Sequence, residues 1–232
     1  MSVSAGHVVA IRARLQQVEE RITQACHQSG RSRDEVTLIG VTKTFPASLI
    51  AAAIEAGLED FGENKVQELM SKLPKIPKGS CRWHMIGHLQ RNKARQVALY
   101  ADSFHALDSR RLAETLNRHA ASCGRVLPCF VQVNVSGEDT KFGVGEGEAG
   151  ELIEQTSALA NLELKGLMTL AAPSPEPEVF RGQFRKLSRL AEKYAHLGCT
   201  ALSMGMSGDF EVAIEEGATH VRIGSAIFGP RQ

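Results

Sequence analysis

A chain of 232 residues can bury one good core, and its 43% hydrophobic and 23% charged residues are ordinary for a globular domain. A net charge of +1 excludes the global field that draws a protein to nucleic acid or to a membrane surface. Five scattered cysteines with no CxxC argue against a disulfide framework or a zinc site and for a reducing cytosol, and neither a bilayer-spanning apolar run nor a signal peptide's hydrophobic segment is found.

The segment from His7 to Ser29 reads as a helix, with Val9, Leu15, Val18 and Ile22 near helical spacing and Gly30 ending it. Strand and helix signals then alternate. Val36–Lys43 is an apolar, β-branched run bounded by Asp34-Glu35 and Pro46, as expected of a buried strand. Helix Ala47–Ala56 is closed by Gly57, strand Asp60–Glu63 follows, and helix Val66–Leu73 stops at Pro74. Strand Trp83–Gly87 precedes helix Arg91–Tyr100, and strand Ser103–Leu107 precedes helix Ser109–Ser122. Strand Pro128–Val135 leads to helix Glu146–Ala160, Leu164–Leu170 to Glu178–Leu197, and Ala201–Met206 to Gly208–Glu216, before a last strand, His220–Gly224.

Eight strands alternating with helices imply parallel pairing in an α/β protein, and this count in this length points to a (β/α)8 TIM barrel with an extra N-terminal helix. A doubly wound open sheet is the main competitor, but its GxGxxG first turn is absent. Pro173-Ser-Pro-Glu-Pro177 reads as a rigid loop rather than a linker, so residues 1–232 form a single domain. The basic cluster of Lys75, Lys78, Arg82, Arg91, Lys93 and Arg95 reads as a solvated face, lacking the aromatic residues on which bases stack.

Barrel active sites lie at the C-terminal ends of the strands. There the chain offers Lys43 after the first strand, Asn64 after the second, His84 on the third, Met168 on the sixth, Met204 and Ser207-Gly208 after the seventh, and Arg222 with Gly224-Ser225 on the eighth. Alternation puts Thr37, Ile39, Val41 and Lys43 on one strand face and His220, Arg222 and Gly224 on another. Barrel closure makes the first and eighth strands neighbours, so Lys43 and Arg222 come close. A guanidinium and partial desolvation both lower a lysine's pKa from its usual value of about 10.4. The loops Met206-Ser-Gly-Asp209 and Ile223-Gly-Ser-Ala226 stand where such barrels hold phosphate, with glycines that let backbone N–H groups approach an anion.

Structural readings compete at several of these positions. Ser207 fits an N-cap for the following helix, Asn64 with Gln67 fits a capping box, and His84 fits a hydrogen-bonded core histidine. Met168, Met204 and Met206 fit pocket wall. Lys141, in Asp139-Thr-Lys-Phe-Gly143, is a rival reactive lysine.

At these residues the sequence closely resembles the pyridoxal 5′-phosphate homeostasis protein family. The resemblance rests on Val41-Thr-Lys43, Phe61-Gly-Glu-Asn64, Val66-Gln-Glu68, Trp83-His-Met-Ile-Gly-His-Leu-Gln-Arg-Asn-Lys93, Gly166-Leu-Met-Thr169, Leu202-Ser-Met-Gly-Met-Ser-Gly-Asp209 and Val221-Arg-Ile-Gly-Ser-Ala-Ile-Phe-Gly229. It implies a fold-type III pyridoxal phosphate barrel, similar to the N-terminal domain of alanine racemase. It implies that Lys43 forms the Schiff base with pyridoxal 5′-phosphate. Ser207, Gly208, Gly224 and Ser225 then hold the phosphate, Arg222 faces the pyridine nitrogen, and Asn64, His84, Met168 and Met204 line the pocket.

The function so implied is cofactor homeostasis and amino-acid and keto-acid balance without catalytic turnover. A racemase needs a second acid–base group, which alanine racemase supplies as a tyrosine from another domain; here Tyr100 and Tyr194 fall in outer helices. An arginine at the pyridine nitrogen also weakens the ring as an electron sink. The expected protein is a cytoplasmic, monomeric carrier of pyridoxal 5′-phosphate that passes it to an amine, with cofactor-dependent apo-enzymes as acceptors and neither nucleic acid nor membrane as partner. The competing classes are a weak racemase or lyase, a sugar-phosphate enzyme using Lys43, and a protein-interaction module.

Overall fold

The computed structural model describes residues 4–138, 142–172, 174 and 176–230. Lys141, Pro173 and Pro175 lie outside the described residues.

Helix α1 (Ala5–Gln28) buries Val8, Ile11, Leu15, Val18, Ile22 and Ala25, a stripe at helical spacing. The expected face is one residue out of phase at its start, since Val9 is 66% exposed while Val8 is buried. The stripe packs against α2 (Ala47–Glu55), α8 (Phe210–Glu215) and α9 (Ser225–Phe228), covering the barrel where its first and last units meet.

The barrel strands are β1 (Thr37–Val41), β2 (Asp60–Glu63), β3 (Arg82–Met85), β4 (Ser103–Leu107), β5 (Leu127–Asn134), β7 (Leu162–Met168), β8 (Ala201–Ser203) and β9 (His220–Ile223). They are parallel, run in the order β4-β3-β2-β1-β9-β8-β7-β5, and close through β4 pairing with β5. A two-residue strand, β6 (Val144–Gly145), is an unanticipated addition that pairs with β5 outside the ring. The remaining helices are α3 (Val66–Lys72), α4 (Ala94–Tyr100), α5 (Arg110–Ser122), α6 (Glu146–Ser157) and α7 (Pro177–Lys193).

The strands nearest the barrel mouth are shorter than their apolar runs. Strand β1 ends at Val41 and leaves Lys43 in a turn; β8 ends at Ser203 because the backbone turns at Gly205, at φ +93°. Lys43 therefore lies beyond the ladder, past the C-terminal end of its strand.

The β7–β8 seam allows no side chain at Gly166, where a Cβ would stand 1.7 Å from the Ala201 carbonyl oxygen. Gly166→Ala must therefore spread two paired strands. We expect it to lower stability by ~2–3 kcal/mol, the cost of overpacking a rigid interior, measured by urea unfolding; an unchanged midpoint would contradict the seam geometry.

Candidate functional site

Strand pairing brings the first and last strands together as barrel closure requires. Ile39 lies opposite Arg222 and Gly40 opposite Ile223. A Cβ on Gly224 would stand 3.3 Å from the Val41 carbonyl oxygen, so the two strand ends touch. Lys43, half-buried, begins two residues beyond that contact.

Arg222 is buried at 3% exposure with its guanidinium inside the ring. Its Nη1 donates to Ser203 Oγ (2.6 Å) and its Nη2 to the Thr169 carbonyl (2.8 Å). Ser203 Oγ also lies 2.8 Å from His105 Nδ1, His105 Nε2 3.0 Å from His84 Nδ1, and His84 Nε2 2.8 Å from Asp60 Oδ1. Asp60 receives Arg82 through Nε and Nη2, both at 2.7 Å. A continuous hydrogen-bonded chain thus crosses the barrel from mouth to floor.

Donor and acceptor capacity sets its direction. Arg222 can only donate, so Ser203 accepts from it and gives its own hydrogen to His105 Nδ1. His105 then carries its proton on Nε2 and donates to His84 Nδ1; His84 carries its proton on Nε2 and donates to Asp60. The reverse direction puts an imidazolium at buried His84 and leaves the Ser203 hydroxyl hydrogen without an acceptor. The chain therefore has a cation at one end, an anion at the other and neutral groups between.

The surroundings agree. Burial, reinforced by the Arg222 cation, holds His105 well below the usual histidine range. Burial also lowers His220, whose ring packs edge-on against His105, to about 4. Burial pulls Arg222 down to about 10 against the opposing charge of Asp209, which still leaves it cationic at neutral pH. Burial alone would raise Asp60, but hydrogen bonds from Arg82 and His84 outweigh it and hold the carboxyl at about 2.

Two loops flank Arg222 at the mouth. The Arg222 N–H donates to the Gly205 carbonyl (2.9 Å), joining β9 to the turn before Met206-Ser-Gly-Asp209. Asp209, not Ser207, stands at the N-cap position of α8, and its Oδ1 turns back to accept the Met206 N–H at 2.5 Å rather than capping the helix. Among the described residues, the backbone N–H groups of Ser207, Gly208, Ser225 and Ala226 have no protein acceptor. These adjoining loops therefore present a set of uncommitted donors, which suits an anion.

Asn64 does not form the expected capping box: the residue at the start of α3 is Lys65, without a side-chain cap. Both ring nitrogens of His84 are committed, to Asp60 and to His105, as in the hydrogen-bonded core histidine that the sequence allowed. Met168 and Met204 are fully buried, Met168 pairing in register with Ser203. Asp60, Ser203 and His105 were missed by sequence reasoning. Their even spacing with Gly62, Ala201 and Ser103 was available as a signal of an inward face, but closure alone aligns them into one chain.

The alanine racemase N-terminal domain family matches residues 13–232. The pyridoxal phosphate homeostasis proteins of Aquifex aeolicus and of Escherichia coli strain K12 are 41% and 42% identical to the chain, each over 94% of it, covering 97% and 95% of their own lengths. The chain belongs to the pyridoxal phosphate homeostasis protein family. Among solved structures, PipY of Synechococcus elongatus with pyridoxal phosphate bound superposes with a TM-score of 0.81 at 33% identity, over 94% of this chain and 100% of that one. Alanine racemase of Clostridium difficile 630 shares the fold at a TM-score of 0.75 and 14% identity, over 95% of this chain and 56% of that one. The homeostasis-protein barrel thus corresponds to one part of the longer racemase chain.

Neutral, buried His105 and His220 carry a pH signature. The unfolded chain protonates histidines below pH ~6.5, whereas these folded ones resist protonation, so the unfolded state binds more protons as pH falls. Stability should be constant above pH ~6.5 and decline from there toward pH 4, by on the order of 1.4 kcal/mol per pH unit for each such histidine. Urea unfolding at pH 7.5, 6, 5 and 4.5 checks this, and His220→Asn should reduce the slope; a flat profile would contradict the neutral interior.

Proposed function

We propose that this chain binds pyridoxal 5′-phosphate, holds it reversibly on Lys43 as a Schiff base, and serves the intracellular balance of the cofactor without turning over a substrate. The observation that carries the reading is a cationic Arg222 fixed beside the junction of β1 and β9, where Lys43 leaves the barrel rim. Relatives that share about 40% of the sequence are named for pyridoxal phosphate homeostasis, and a 33% identical neighbour was solved with pyridoxal phosphate bound.

The residues present fit the group. The uncommitted N–H groups of Ser207, Gly208, Ser225 and Ala226 suit its phosphate. Arg222 suits its ring nitrogen, since a guanidinium donates and never accepts. Asn64, Met168 and Met204 would complete the wall, with His84 supporting Arg222 from below. When bound, the group supplies an aldehyde that condenses reversibly with a primary amine, and Lys43 is the amine at hand.

Absence of turnover follows from what the chain's own side chains can do. Arg222 keeps a proton off an acceptor placed against it, so a ring nitrogen there gains little electron-withdrawing power. Tyr100 ends α4 and Tyr194 follows α7, both outside the ring, so neither reaches the mouth as a second acid–base group. The complete site sits in one barrel, which fits a monomer working in the cytoplasm and passing its cargo to apo-enzymes that need it.

Pyridoxal phosphate added to the purified chain should produce a visible absorption band, and borohydride should fix a phosphopyridoxyl group on Lys43 in the peptide mass spectrum. Lys43→Ala should lose both. Arg222→Gln should weaken binding about tenfold or more, the ~1.5–3 kcal/mol of a hydrogen bond to a charged group. Adduct absent from Lys43, or amino-acid racemisation at enzymatic rates of about 1 s⁻¹ or more, would overturn the proposal.

A further inference from the structure

Lys43 stands in a strained turn. The turn closes through the Phe45 N–H and the Thr42 carbonyl (3.0 Å), and Thr44 occupies φ +70°, the only non-glycine residue with positive φ among those described. A β-branched residue rarely takes that conformation unless its surroundings impose it.

The surroundings are a buried cluster on the outer side of the barrel wall. Lys72, 5% exposed, donates from Nζ to the Thr42 carbonyl (2.8 Å) and to Glu63 Oε1 (2.5 Å), and lies 3.5 Å from Glu68 Oε2. The Thr42 hydroxyl donates to the same Glu63 oxygen (2.6 Å). Glu68 Oε2 accepts the Thr44 N–H (2.6 Å). The residues immediately before and after Lys43 are therefore both gripped by one face of α3, through side chains four positions apart.

Stability is a poor explanation for this cluster. A buried ion pair roughly balances its own desolvation, and apolar residues of similar volume often do as well. Here Glu63 is fully buried and its Oε2 has no hydrogen-bond partner, so the cluster is not optimised even as an ion pair. Burial pushes the Glu63 carboxyl up, with Lys72 opposing. What the cluster does hold is the backbone on both sides of one lysine.

We propose that Lys72 and Glu68 are positioning residues: they clamp the Thr42–Phe45 turn in its strained form and so fix where the Lys43 amine is presented. This rests on the reading of Lys43 as the cofactor lysine. Glu63 is the buried anion that keeps Lys72 at its post.

The test uses the full-length chain with two readouts: affinity for pyridoxal phosphate from the visible absorption, and the rate at which an amine-reactive reagent labels Lys43 in cofactor-free protein, followed by peptide mass spectrometry. Glu68→Ala should weaken cofactor binding about tenfold, the size of one lost charge-assisted hydrogen bond, and change the Lys43 labelling rate, while the unfolding midpoint moves little. Glu68→Gln keeps a carbonyl acceptor for the Thr44 N–H and should stay near wild type. Adding Thr44→Gly to Glu68→Ala should restore both readouts, because glycine takes φ +70° without strain. The pair Lys72→Met with Glu63→Gln, which strands no charge, should match Glu68→Ala. Wild-type binding and labelling in Glu68→Ala, or failure of Thr44→Gly to rescue, would overturn the clamp. If wild type itself takes no pyridoxal phosphate, the proposed function falls, and the labelling rates still decide the clamp.

Discussion

The structure depends on a guanidinium inside a closed barrel. Burying a charge is tolerable only when every polar atom around it is matched. Arg222 meets that condition by donating to Ser203 and to the Thr169 carbonyl. The demand then passes inward, because Ser203 needs an acceptor, which fixes His105, which fixes His84, which ends on Asp60. The far carboxylate is held by Arg82 at the floor, where solvent screens the last charge. Five strands are thereby tied to one requirement, and each histidine is left with a single tautomer.

The inner chain and the outer cluster meet at β1 from opposite sides. Ile39 lies beside Arg222 on the inward face, while Thr42 turns outward to Glu63 and Lys72. Lys43 comes between, after the ladder has ended. Its strand pairs with that of Arg222, and the residues on either side of it are held from outside by Lys72 and Glu68. A lysine on an ordinary loop would have neither.

Much of this was legible in the sequence because it follows from local pattern. Strand signals alternating with helical periodicity located the eight barrel strands, and closure then makes β1 and β9 neighbours, with Ile39 opposite Arg222. Patterns confined to one element were weaker guides. Asn64-Gln67 and Ser207 satisfied capping patterns, yet the N-cap positions of α3 and α8 are held by Lys65 and Asp209, neither with a side-chain cap. Lys72 was not singled out from the sequence, since lysine is rarely buried and only the fold brings the Glu63 carboxylate and the Thr42 carbonyl within its reach. His105 sits 98 residues from Ser203. No periodicity connects residues so far apart; only the barrel does.

The central claim is that a directional chain of neutral groups joins Arg222 to Asp60. Nitrogen-15 NMR of the histidine side chains reads it most directly. At pH 7 the account predicts that His84 and His105 are both neutral, each protonated on Nε2 with a bare Nδ1, and that His105 keeps this form on acidification to pH 5. A doubly protonated His84, or a proton on Nδ1 of either ring, would show that the chain runs the other way and that Arg222 is held by something else.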